Sequence, residues 1–103
     1  MDPSQQLARL YQSGFDVQAF ERFPRSVAVT RDNCVALLEA TPDGLKISAT
    51  PGWRMGESIG VLVEQDGRQV FQHKSETVEA TPERLETLRR FREDLEHLLA
   101  SAA

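Results

Sequence analysis

A single cysteine, Cys34, in 103 residues leaves no partner for an intramolecular disulfide, which excludes the small secreted domains held together by such bridges. A basic tract is also missing. With a formal net charge of −4, the chain lacks the phosphate attraction on which nucleic-acid affinity rests, so neither nucleic acid nor an anionic membrane is an expected partner. The longest continuous apolar run, Val35-Ala36-Leu37-Leu38, falls far short of the roughly 20 residues that span a bilayer. Met1 to Gln6 has neither the basic nor the apolar region of a secretory signal. Together these absences predict a soluble, cytoplasmic protein.

Repeats, low-complexity stretches and Gly/Ser linkers are absent as well, and the length suits one domain covering residues 1–103. Neither G-x-G-x-x-G nor a P-loop occurs, and Cys34, His73 and His97 are scattered singly, so no cofactor and no metal are expected. Charge is uneven. Residues 1–56 hold six acids and six bases, and the remaining ten acids and six bases fall in 57–103.

What is present reads as an α+β chain. Asp2-Pro3-Ser4-Gln5 is a helix start, with Asp2 as cap and Pro3 at the first helical position. Gly14 suits the left-handed residue that ends this short helix, after which Phe15 folds back onto Leu10. Leu7, Leu10 and Tyr11 form its buried stripe. Residues 15–24 fit two patterns: Val17, Phe20 and Phe23 at helical spacing, or Phe15, Val17 and Ala19 in strand alternation. A second short helix, ended by Pro24, is the expectation.

From Ser26 the chain breaks into short strands separated by turn chemistry. Val27–Thr30 and Cys34–Leu38 flank Arg31-Asp32-Asn33, and Thr41-Pro42-Asp43-Gly44 leads into Leu45–Ala49, whose Leu45, Ile47 and Ala49 alternate inward. Ile59–Gln65 and Arg68–Lys74 surround Asp66-Gly67, a strong hairpin signal that pairs Val63 with Val70 and Leu62 with Phe71. Those pairs lie on opposite faces, so something must cover the second face: the segment bearing Phe15, Phe20 and Phe23, or another copy of the chain.

The last segment is a long helix, Pro82–Ala100, capped by Thr81. Leu85, Leu88, Phe91, Leu95, Leu98 and Leu99 make one apolar stripe worth roughly 1.5–3 kcal/mol per buried side chain. Its opposite-charge pairs, Glu86–Arg90, Arg89–Glu93, Arg90–Asp94 and Arg92–Glu96, contribute a few tenths each. The predicted architecture is an antiparallel meander of about five strands, with a short N-terminal helix and the long C-terminal helix packed on one face.

Chemistry is concentrated between Thr50 and Gly60, read as a long loop that holds the only tryptophan and three of six glycines. Gly56-Glu57-Ser58-Ile59-Gly60 matches the G-x-S-x-G nucleophile elbow in letters, but a strand entering a hairpin is the wrong context for it. Thr50-Pro51-Gly52-Trp53 fits a type II turn that would present the indole. Trp53 and Met55 then either plug the end of the core or form, with Arg54, a contact surface of side-chain types enriched in interface cores. The functional expectation is a non-enzymatic protein-interaction module, a homodimer that holds a partner through the second sheet face or the Trp53 loop, with Trp53, Arg54, Met55, Leu62 and Phe71 as the contact residues. The alternative is a small-molecule binding domain with its pocket between the sheet and the C-terminal helix.

Overall fold

The structure, a computed structural model, describes residues 3–21 and 23–101. Two helices, α1 (Pro3–Gln12) and α2 (Pro82–Ser101), bracket seven strands: β1 (Asp16–Gln18), β2 (Val27–Arg31), β3 (Cys34–Thr41), β4 (Gly44–Met55), β5 (Ser58–Gln65), β6 (Arg68–His73) and β7 (Glu76–Glu79). All neighbours are antiparallel, and the spatial order is the chain order. The α+β meander is therefore as the sequence predicts, with two strands more. Those two, β1 and β7, are three and four residues long, too short to show a period.

Helix α1 ends as its sequence dictates. Gly14 takes φ 94°, the Gly14 N–H bonds the Tyr11 carbonyl at 3.2 Å, and the Phe15 N–H bonds that of Leu10 at 3.1 Å, the two bonds of a Schellman stop. The Asp2 cap lies outside the described residues. The stripe needs one correction: Leu7 and Leu10 pack inward, but Tyr11 is 69% exposed, and the buried stripe extends instead to Gln6 on the other flank of Leu10. Gln6 spends its carbonyl Oε1 on the Leu45 N–H, 2.8 Å away.

Residues 16–18 form β1 rather than the start of a second helix. Pairing of Val17 with Val29 supplies a neighbour on the sheet that an isolated turn of helix would lack, and tertiary contact overrides the local pattern. The chain beyond then crosses to the other side of the sheet. Phe20 is buried there against Ala28, Val35 and Leu37, with Phe23, Ala49 and Ile59 packed around them. Phe15 stays on the α2 side, tilted against Phe91 at 5.6 Å. Of the two expected covers for the second face, the N-terminal segment supplies this one over β2–β4.

The larger core joins Leu10, Phe15, Val29, Cys34, Ala36, Leu38 and Leu45 to Phe91 and Leu95 of α2. Because both faces are covered, Cys34 to Leu38 of β3 are buried without interruption, as a strand at the centre of a two-sided sheet should be. Helix α2 begins at Thr81, whose Oγ1 accepts the Arg84 N–H at 3.2 Å. Glu86–Arg90 and Arg89–Glu93 pair as expected, whereas Asp94 turns to Arg31 of β2 at 2.9 Å. Above all the Arg89 hydrogen bond, and then the charges of Arg89 and Arg90, hold the Glu86 carboxyl at about 2 despite its exposure.

Arg31 ties the two layers together. Its guanidinium lies 4.4 Å from the Phe15 ring centre and 6.0 Å from that of Phe91 while it bonds Asp94.

If Phe20 truly seals a second core, Phe20→Ala should lower stability by about 3 kcal/mol, comparable to Phe91→Ala on the opposite face. Chemical denaturation of both variants measures it; a loss near zero for Phe20→Ala would mean that the reverse face needs no cover.

Candidate functional site

Thr50 to Gly60 is not a loop. Gly44 to Met55 is one strand of 12 residues, and the turn is only Gly56-Glu57, with Gly56 at φ 65°. The Pro-Gly signal misleads because β4 absorbs Pro51 at an irregularity. Register shifts occur between Val35 and Leu37 and again between Leu37 and Leu38, so β4 carries extra residues opposite β3, and Pro51 sits where no ladder hydrogen bond is required of it. The Ser48 Oγ donates to the Leu37 carbonyl at 3.2 Å within the second shift. The same shift moves Ala49 to the reverse face, away from Leu45 and Ile47.

The five residues proposed as contacts divide between the faces. Trp53 faces α2, stacks on Phe71 with ring centres 5.3 Å apart and planes 13° apart, and receives the Arg84 guanidinium 5.8 Å above its ring. Arg54 points the other way: it covers the Phe20 ring at 5.4 Å and donates to Gln18 Oε1 at 3.2 Å and to the Gly56 carbonyl. Phe71 is fully buried, Met55 is half-buried, and Leu62 is 40% exposed. Leu62 lies against Leu85 and Leu88 of α2 and Pro51 of β4, so Leu62 and Phe71 belong to the helix side and not to the reverse face. The valines opposite them, Val61, Val63 and Val70, are the ones that face backward.

Two glycines decide the shape of this region. A Cβ built on Gly52 would meet the Gly60 carbonyl oxygen at 2.4 Å, and one on Gly60 would meet the Met55 thioether at 2.5 Å, so β4 and β5 touch here more closely than side chains would permit. Beyond the contact they part. β4 pairs with β5 only from Trp53 to Met55, while β5 pairs with β6 from Val61 to Gln65. The sheet thus divides into an inner part, β1–β4 with Ser58–Gly60, and an outer arm made of Val61–Gln65, β6 and β7. Between them opens a cleft roofed by α2.

Near its apex is a slot of about 150 Å³ lined by Pro51, Leu62, Leu85, Leu88, Arg89 and Arg92. Farther out, a groove of about 450 Å³ follows Ile47 to Pro51 beneath Arg92 and Glu96. Sequence reasoning missed this cleft. The signal was the pair of glycines, Gly52 and Gly60, at facing positions of two strands.

Ser58 opens β5 as the partner of Met55 in an antiparallel hairpin, which is not the strand–turn–helix of a nucleophile elbow. Cys34 is buried on β3, its thiol 3.8 Å from the Asp32 carbonyl; burial, and then the Asp32 charge, push it up to about 12. Among the described residues, no three His, Cys, Asp or Glu side chains gather to hold a metal. No described helix is long and apolar enough to cross a membrane. Comparison with protein-family models, curated proteins and solved structures finds no match to this chain.

Gly52→Ala should cost about 1–3 kcal/mol in denaturant melts, because the new methyl meets a backbone oxygen that strand pairing holds in place; Gly60→Ala should cost less, since the Met55 thioether can swing away. Iodoacetamide at pH 8 should modify Cys34 at least about a hundredfold more slowly in the native protein than in the denatured one. Equal rates would mean that the thiol is open to solvent.

Proposed function

We propose that the protein is a non-enzymatic protein-interaction module, a homodimer that also holds a protein partner through the divided part of its sheet. The observation that carries this reading is a pair of neighbours on β5. Val61 is 58% exposed and Leu62 is 40% exposed, and successive strand residues point to opposite faces, so the arm shows apolar surface on both sides. Only Tyr11 joins them as a large exposed hydrophobic among the described residues.

The two sides suit different tasks. On the reverse face, Val61, Val63 and Val70 lie on two adjacent strands beyond the reach of Phe20 and Phe23, with paired neighbours Val63 and Val70 at the centre. A flat, self-complementary patch of β-branched side chains fits a two-fold contact between copies. Its small extent fits reversible association. On the helix side, the cleft lined by Leu62, Leu85 and Leu88, with half-buried Trp53 and Met55 on the same face of the sheet, offers a concave surface to a different partner. Arg54 supports both by fixing Phe20 beneath the sheet rather than by touching a partner. A lone buried thiol suits a reducing compartment, and we place the protein in the cytoplasm on that basis.

A small-molecule site between sheet and helix is the lesser reading. The grooves there are shallow and open, so a bound metabolite would keep much of its surface in water, which macromolecular partners avoid.

Sedimentation across the micromolar range tests the dimer. The wild-type mass should rise from one chain to two with concentration, and Val61→Asp, at an exposed position that leaves the fold intact, should remain at one. A wild-type protein that stays monomeric at every concentration would remove the homodimer from this reading.

A further inference from the structure

The divided sheet exposes main chain as well as side chains. β4 pairs with β3 from Gly44 to Trp53, with two register shifts, but on its other side it meets β5 only at Trp53 to Met55, which leaves the edge from Gly44 to Gly52 without a strand. One end of that edge is closed: Gln6 of α1 accepts the Leu45 N–H, so this amide points away from β3. The register from Leu45 to Ile47 is regular, so the Ile47 N–H and carbonyl point the same way, into the groove. Pro51 and the Gly52–Gly60 contact close the other end. Between the two stops lie Lys46 to Thr50, roughly 17 Å of strand at 3.3 Å per residue.

An unpaired strand edge specifies the conformation of what binds it, because only another extended backbone presents donors and acceptors at the matching repeat. The side chains along the groove specify its chemistry. The slot is walled by Pro51, Leu62, Leu85 and Leu88, with Arg89 and Arg92 also lining it, and takes one largely apolar side chain. Next along α2, Arg92 and Glu96 both face the groove, and neither makes an ion pair among the described residues, whereas Arg89 is committed to Glu86 and Glu93. One helical turn separates Arg92 from Glu96, about 6 Å of rise, close to the spacing of alternate residues on a strand. An extended peptide whose same-face residues run apolar, acidic, basic therefore matches slot, Arg92 and Glu96 in turn.

Resting on the interaction-module reading, we infer that the cleft binds an extended segment of a partner protein by strand addition to the Lys46–Thr50 edge of β4. An apolar side chain of that segment seats between Leu62, Leu85 and Leu88, and a carboxylate two residues along pairs with Arg92. Both register shifts fall inside this stretch, between Ile47 and Ala49 and between Ala49 and Gly52, so the edge offers only a short, interrupted ladder anchored at Ile47, which prevents it from templating unlimited stacking of copies.

The test is selection of a phage-displayed random heptapeptide library on the full chain. Synthetic versions of the enriched sequences are then titrated while amide exchange is followed by NMR. Strand addition predicts enrichment of an apolar residue with an acid two positions away, and at least about tenfold slower exchange of the Ile47 amide at saturation. Arg92→Glu, an exposed change that leaves folding intact, should weaken the acidic peptides about tenfold and switch the selected charge to basic. No enrichment, or peptides that leave Ile47 exchange and the Arg92→Glu affinity unchanged, would overturn the inference. Slowed Ile47 exchange on concentrating the protein alone would overturn it too, because a second copy would then be the occupant. A monomeric wild-type protein in sedimentation would remove the homodimer and leave this test standing, so the two failures are distinguishable.

Discussion

The contact between the backbones of Gly52 and Gly60 is the constraint on which the rest of the molecule's shape depends. A Cβ on Gly52 would meet backbone and one on Gly60 the Met55 thioether, and the pairing of β4 with β5 ends at this contact. Ordinary sheet twist accumulates gradually from strand to strand. Here β5 changes partner between Gly60 and Val61, and the result is an inner sheet sealed on both faces and an outer arm that shares only β5 with it. Helix α2 starts from the arm and crosses back over the inner core, so the cleft has a fixed roof as well as two strand edges.

The inner sheet shows how a short chain closes a core on two sides. Five apolar residues of α2, Leu88, Phe91, Leu95, Leu98 and Leu99, cover one face, but the described residues offer no second long helix for the other. Phe20 and Phe23 cover it instead, delivered by a β1 strand only three residues long. Arg31 and Arg54 hold this arrangement from opposite faces: one lies over Phe15 and Phe91 while paired with Asp94, the other over Phe20 while bonded to Gln18. Each guanidinium lays its planar face on an aromatic ring while an Nη of the same group bonds a side-chain oxygen, a use that lysine could not copy.

What could be read in advance was whatever rests on local physics. Thr81 and the period of α2, the Gly14 stop, and the turns at Asp32-Asn33 and Asp66-Gly67, all four of those turn residues at positive φ, follow from caps and backbone preferences. The register Val63 to Val70 and Leu62 to Phe71 also followed, since a two-residue turn leaves no choice. The misreadings are equally physical. Pro51-Gly52 carries a turn signature, yet bulges opposite β3 let a strand accommodate it, and no local pattern announces a bulge. Which side of the hairpin meets α2 depends on where the strand before it crosses β5, a non-local fact, so Leu62 and Phe71 were assigned to the wrong face. Segments as short as β1 and β7 take their form from the neighbour they pair with rather than from their own residues.

Because strand order equals chain order, every ladder of the sheet joins consecutive strands, all through two-residue turns except β1 to β2, which residues 19–26 connect. Loop-closure entropy is therefore small at each step, and an all-neighbour sheet of this kind can zip forward hairpin by hairpin at the rapid end of the range for mixed proteins. The costly closure is the last one. Helix α2 must return to α1 and Phe15 across nearly the whole chain, so the large core forms only when the C-terminal segment arrives, and a nascent chain stopped short of it holds a finished meander with one greasy side uncovered.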